Sequence, residues 1–332
     1  MNENILLIRL KSIGDVVLTL PAVNAVRARF PTATISFLTS RENAPLVRGF
    51  RAVDEILTLD RAVLSAGHPV KIAGELIPLL RRLRAKNFSL VADFQGYGET
   101  EWLAWWSGAP ERLGVVYKPG RGGLYTRPSP RNDLSHPAHW NLELLTALGG
   151  PALEIRNDYH LPAEALATAR EFFAAHHLDP HQPTLFIQPF TSDRPKNWPL
   201  ARFVELARTW QARGLQIIFG GGPADRPHLE PARAAGFVVA AGTPLLVSAG
   251  LIQLSTLVVG ADTGLLHLAV AQGRRVVMLM HANHPGTYTP FQHPDWAVTP
   301  PPGQTVAQLA PGRVMSAVES AMEALSPPRL LN

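Results

Sequence analysis

The 332-residue chain is 46% apolar, 17% charged and 8% aromatic, a balance that fills the cores of about two folded domains and excludes a disordered chain. It has no cysteine, which rules out a disulfide framework or a cysteine zinc cluster and is compatible with the cytoplasm. Its formal charge of +5 favours an anionic partner, while the lack of a basic segment before the first apolar run and of about 18 consecutive uncharged apolar residues argues against a secretory signal or a membrane span.

In chain order, the branched apolar run 5–10 reads as a buried strand, Ser12 to Asp15 as a short turn and 16–30 as a helix. Asp15 thus sits where a first strand becomes a helix, as a cap for that helix or as a chemical group at the edge of a sheet. Residues 34–38, 55–59 and 89–93 are further strands between helical stretches, the pattern of an open parallel sheet. The cluster Arg81-Arg82-Leu83-Arg84-Ala85-Lys86 ends one of those helices, where cations complement the dipole. The Gly/Pro-rich stretch from Lys118 to Arg131 is a basic loop, either solvated or holding phosphates or carboxylates. No aromatic-interleaved basic stripe accompanies it, so nucleic acid is not the expected partner.

Turn residues accumulate from Gly149-Gly150-Pro151 to Leu161-Pro162, and the pattern then restarts. A helix is expected at 163–176 and strands at 184–188, 216–219, 237–240, 257–260 and 276–280, with an amphipathic helix at 311–325 after Pro300-Pro301-Pro302-Gly303. The class is α/β, with two Rossmann-like halves over 1–160 and 161–310, then a terminal segment 311–332.

Three motifs carry chemistry. The first is Lys11-Ser12-Ile13-Gly14-Asp15 followed by Leu20-Pro21, and the second Thr191-Ser192 with Lys196-Asn197-Trp198-Pro199. The third is the strand, loop and helix around Asp262-Thr263-Gly264 and His267. In it the N-terminus of a helix suits a diphosphate, and Thr263 and His267, four apart, share a helical face. The bland alternative has Asp262 and Thr263 capping and His267 in the core. Together the three resemble the ADP-heptose:lipopolysaccharide heptosyltransferases, glycosyltransferase family 9.

The resemblance implies a GT-B fold, two domains facing a cleft, with the C-terminal helix returning to pack on the first. It implies an inverting transfer of heptose from ADP-heptose to a lipopolysaccharide inner-core acceptor, Asp15 being the general base. The donor would be held by Thr191, Ser192, Lys196, Asp262, Thr263, Gly264 and His267, with Asp225 of the Gly220-Gly221-Gly222 turn on its ribose or merely closing the turn. Lys196 and the two hydroxyls would offset diphosphate charge without a metal or other cofactor, and Trp198 would staple the following helix. For the anionic acceptor, charge and placement suggest Lys11, Arg61, Lys118, Arg121 and Arg127. The enzyme would be cytoplasmic, any membrane contact being peripheral, on the cytoplasmic face of the inner membrane.

The chain departs from the family pattern where His281 to Tyr288 replace a Gly-Pro-Thr loop and where Gln188-Pro189-Phe190 precede Thr191. These changes leave open a different nucleotide sugar. His281 and His284 lack the carboxylates of a metal cluster. A nucleotide-sugar epimerase and a noncatalytic binding module also stay open, whereas the missing Gly-x-Gly-x-x-Gly after the first strand argues against a dehydrogenase.

Overall fold

The computed structural model describes residues 3–118, 120–149, 154–193 and 196–325. Pro119 of the basic loop and Gly150-Pro151 of the expected boundary lie outside them. The chain divides into two compact units, Met1–His160 and Leu161–Asn332.

In the first unit β1 (Asn4–Ile8), β2 (Thr34–Ser40), β3 (Glu55–Leu59), β4 (Leu90–Asp93), β5 (Glu111–Val116) and β6 (Arg127–Pro130) form one sheet in the order β3-β2-β1-β4-β5-β6. All its ladders are parallel. Ile5 to Ile8 are wholly buried, as a strand covered on both faces by helices must be. The expected helix 16–30 is two helices, Ile13–Val17 and Leu20–Arg29. Pro21, which has no N–H to donate, stands in the first turn of the second helix, and Ser12 caps the first.

β5 and β6 were not anticipated. Arg112 and Gly114 interrupt the apolar run of the one, and Pro128 and Pro130 confine the other to the sheet edge. Gly114 is required there, because a Cβ would lie 2.1 Å from the Tyr125 ring. That ring lets the Tyr125 hydroxyl donate to Asp93 Oδ2 at 2.6 Å, while the amides of Gln95 and Gly96 donate to Oδ1 at 2.8 and 3.1 Å.

Burial pushes the Asp93 carboxyl above its ordinary value, the bonds from Tyr125 and the two amides only partly offsetting it. Folding therefore holds the Asp93 proton more tightly than the unfolded chain does. This contribution is complete below the unfolded carboxylate value near 4 and fades as pH rises through the folded one. Relative to Asp93→Asn, wild type is expected to lose stability in urea unfolding as pH rises above about 4; a difference that does not change with pH contradicts the assignment.

The second unit repeats the design with β7 (Thr184–Gln188), β8 (Gln216–Gly221), β9 (Val238–Ala241), β10 (Leu257–Ala261), β11 (Val276–Leu279) and β12 (Ala297–Val298). Its order, β12-β11-β10-β7-β8-β9, is again parallel throughout. Each sheet therefore has its switch point between its first and fourth strands, where open α/β sheets bind ligands beyond the carboxyl ends.

Trp198 is buried in this unit's core, its ring edge-on to Phe203 at 4.9 Å and its indole N–H donating to the Leu309 carbonyl at 2.9 Å. The stapling role is met by a core residue that also ties the chain at 309 to the helix Leu200–Ala212. Trp198→Phe keeps the apolar contact and removes the indole donor, while Arg202 still donates to that carbonyl at 2.8 Å, so it is expected to cost about 0.5–1.5 kcal/mol in denaturant unfolding.

The terminal helix is Pro311–Leu325. Its apolar stripe, Val314, Val318 and Ala321, is buried in the same cluster as Trp198, Phe203 and Val277. That stripe closes the second unit's own core.

Candidate active site

In the first unit Asp15 lies just past β1, beside the switch point. Its Oδ1 is 2.7 Å from the Arg9 guanidinium, and its Oδ2 accepts from the Ser12 amide at 3.0 Å and the Ser12 hydroxyl at 3.2 Å. The capping reading and the chemical reading therefore coexist: Asp15 closes the capping box of Ile13–Val17, yet its side chain keeps 20% exposure while Arg9 keeps only 4%. Arg9 also donates to the carbonyls of Lys11 (3.1 Å) and Phe94. A buried cation bonded on several sides is a fixed counter-charge, and it holds one edge of the carboxylate.

β4 completes this edge. Gln95 Oε1 accepts from the amides of Leu10 and Lys11, both at 3.1 Å, fixing the turn that precedes Asp15. Gly96, with φ +64°, could carry no Cβ, which would fall 2.1 Å from the Val115 carbonyl oxygen. A row of rings follows: Tyr97 meets Tyr117 at 5.7 Å, and Tyr117 meets Trp140 at 6.3 Å. Lys11 Nζ stands 5.1 Å over Tyr97, and the Arg131 guanidinium 5.0 Å over Tyr117 and 4.5 Å over Trp140. Burial raises the Tyr117 hydroxyl above its ordinary value, with Arg9 opposing that shift by its charge and a hydrogen bond. Tyr117 is therefore a neutral donor at physiological pH.

Of the cations suggested for an acceptor, Lys11 belongs to this group. Lys118 and Arg121 are exposed on the loop after β5, where a Cβ at Gly98 would lie 3.7 Å from Arg121. Arg61 follows β3, half-buried and 3.9 Å from Glu42. Arg127 is not brought to Asp15: it starts β6, at the opposite end of the strand, where it pairs with Glu111 at 2.7 Å and donates to the Ala147 carbonyl. Arg131, at the carboxyl end of that strand, is the cation the loop delivers. Sequence reasoning missed Arg9, Tyr97, Tyr117 and Trp140, and named Arg131 only as the end of the basic loop; Arg9 had a signal, a lone charge in the apolar run 5–10.

In the second unit Asp262 follows β10, with His267 Nε2 at 3.3 Å from Oδ1 and Lys196 Nζ at 3.9 Å from Oδ2. Thr263 is the N-cap of the helix Gly264–Ala271 but its side chain makes no capping bond. Its hydroxyl and His267 Nδ1 are buried without a hydrogen-bond partner, polar atoms of the kind a ligand satisfies. The capping alternative thus fails for Thr263, and His267 is in the core without being fully satisfied. Tyr288, from the loop that departs from the family pattern, faces the His267 ring at 6.4 Å.

Beside this group Phe190, Thr191, Ser192, Asn197, Ala224, Asp225 and His228 line a hollow of about 370 Å³ at the carboxyl ends of β7 and β8. Thr191 shapes it: its amide donates to Asn197 Oδ1 at 2.8 Å, and its hydroxyl donates to the Asp193 carbonyl at 2.7 Å. Asp225 Oδ2 accepts from the Gly222 amide at 2.8 Å, closing the turn while remaining half-buried at the hollow's wall. Among the described residues no group of three or more His, Asp or Glu is placed to hold a metal ion.

Residues 77–305 match the sequence profile of glycosyltransferase family 9 (heptosyltransferase). The chain is 28% identical to lipopolysaccharide heptosyltransferase 1 of Pseudomonas aeruginosa, over 85% of this chain and 79% of that one. With lipopolysaccharide heptosyltransferase 1 of Escherichia coli it shares 24% over 96% and 98%. Among solved structures, a family 9 glycosyltransferase from Veillonella parvula superposes with a TM-score of 0.85 at 21% identity, covering 97% of each chain. The Escherichia coli heptosyltransferase WaaC with ADP-2-deoxy-2-fluoro heptose gives 0.77 at 22%, covering 97% of this chain and 100% of that one. These likenesses establish the GT-B fold.

Proposed function

The chain belongs to glycosyltransferase family 9, the heptosyltransferases, and within it we propose that it transfers heptose from ADP-heptose to an anionic inner-core lipopolysaccharide acceptor with inversion and without a metal. The observation that carries the mechanism is Asp15, a partly exposed carboxylate past β1 whose orientation is set by Arg9 and Ser12. Asp15 takes the acceptor hydroxyl's proton as the acceptor oxygen bonds to the anomeric carbon and the bond from that carbon to the diphosphate breaks. Negative charge then grows on the departing ADP, and Lys196 with the N-terminus of Gly264–Ala271 offsets it. The unpaired Thr263 hydroxyl and His267 Nδ1 supply further polar contacts to the donor, and the hollow by Asp225 takes its nucleoside. Lys11 and Arg131, flanking Tyr97 and Tyr117, suit a sugar bearing a carboxylate or phosphate.

The names of the relatives and the ADP-sugar in the WaaC structure support this donor and acceptor class. Incubation with ADP-heptose and an acceptor bearing 3-deoxy-octulosonic acid is expected to give ADP and an inverted heptoside. Turnover with a UDP- or GDP-sugar alone would keep the fold and move the donor assignment; a changed donor sugar in the absence of acceptor would identify an epimerase. Thermal unfolding gives a prior check, since ADP at about 100 times its dissociation constant adds roughly 2.7 kcal/mol.

A further inference from the structure

Of the seven tryptophans in the chain, three fall in the last turns of the helix Gly98–Trp106 and stay exposed. Trp102 is 38% exposed, Trp105 46% and Trp106 38%. At spacings of three and four they share a face: Trp102 stacks on Trp106 at 5.4 Å, and Trp105 meets Trp106 edge-on at 6.4 Å. Core packing does not need this face, because Thr100, Leu103 and Ala104 already serve the inner side. Indoles are costly to leave in water, and a contiguous exposed cluster marks an interaction surface.

The rim of the cluster is cationic. The Trp106 indole N–H donates to the Leu80 carbonyl at 3.1 Å, which sets this helix beside Pro69–Ala85. On that neighbour Ile77, Arg81 and Arg84 are exposed at helical spacing. Arg84 and Arg112 line a hollow of about 400 Å³ with Trp105, Trp106 and Gly108. Glu99, the exposed acid of the tryptophan helix, sits at its start, next to the carboxyl end of β4. The acids of this helix, Glu99 and Glu101, thus fall in its first turn, while the arginines of the neighbouring helix and of β5 flank its tryptophan end.

We propose that this face docks the protein on an anionic phospholipid bilayer. The indoles insert at the headgroup level, where aromatic rings with one polar edge partition, and Arg81, Arg84 and Arg112 meet lipid phosphates. Charge complementarity favours this occupant over a second copy of the chain, whose matching face would bring the same arginines together. The surface is independent of the proposed chemistry, and it leaves the carboxyl edge that holds Asp15 unengaged.

Sedimentation of the full chain with phosphatidylcholine vesicles, with and without phosphatidylglycerol, tests it. Binding is expected only with the anionic lipid and is expected to weaken as salt rises. Trp102→Ser with Trp105→Ser should reduce partitioning about tenfold or more. Arg81→Gln with Arg84→Gln should do the same and decides the matter if the tryptophan variant fails to fold. Trp106 is kept because its N–H is bonded. No binding, equal binding to neutral vesicles, or variants that bind like wild type overturn the proposal. So does concentration-dependent self-association abolished by the tryptophan pair, which would make the face a dimer contact.

Discussion

Asp15→Asn is expected to lower kcat about 10²- to 10⁴-fold, the range a positioned general base contributes, with donor KM little changed. The isostere removes basicity while keeping one oxygen for either Arg9 or Ser12, which now bond separate oxygens of the carboxylate. One of those partners will face an amide NH2, so a stability cost of about 1–3 kcal/mol should accompany the loss. Asp15→Ala leaves the buried Arg9 guanidinium without its carboxylate and is expected to cost more, about 3–5 kcal/mol. Comparing the two separates the roles. Equal losses of kcat with unequal unfolding midpoints mean that chemistry depends on the base itself; near-normal turnover in the Asn variant would leave Asp15 as no more than the cap of its short helix.

The parts of the fold that followed local rules were legible. β1 announced itself by an unbroken branched run, and the restart of the pattern near 160 announced a second sheet because each βα unit repeats the same alternation. β5 and β6 were not, because their places are set by non-local needs: Gly114 makes room for Tyr125, and an edge strand tolerates Pro128 and Pro130. The terminal helix shows the same limit. Its stripe of Val314, Val318 and Ala321 predicts burial, but nothing in it says against which unit.

The site divides likewise. The neighbours of Asp262 were readable because strand, loop and helix bring Thr263 and His267 to it within six residues, and Lys196 came from a motif. The acceptor-side cations were read from charge and placement, and for Arg127 strand register decided otherwise. Pairing of Leu113 with Arg127 and of Val116 with Pro130 puts Arg127 at the amino end of β6 and carries Arg131 to the carboxyl end. There it stacks on Tyr117 and Trp140, residues that sequence spacing does not connect.

Arg9→Met tests whether the first unit's site is built around that buried cation. Methionine matches the length and supplies no donor, so the Lys11 and Phe94 carbonyls lose a partner and Asp15 loses the contact that fixes its Oδ1. Truncating one member of a buried ion pair costs about 3–5 kcal/mol, and a carboxylate free to turn should lower kcat more than it raises donor KM. Arg9→Lys keeps the charge without the planar fork, so it should restore part of the stability and little of the turnover. The decisive comparison is the double-mutant cycle. If Arg9 acts by holding Asp15, then Arg9→Met should cost less stability in the Asp15→Ala background than in wild type, by an interaction energy of about 0.5–3 kcal/mol. Additive losses would mean that Arg9 is needed for the two carbonyls alone, and that Ser12 by itself suffices to orient the base.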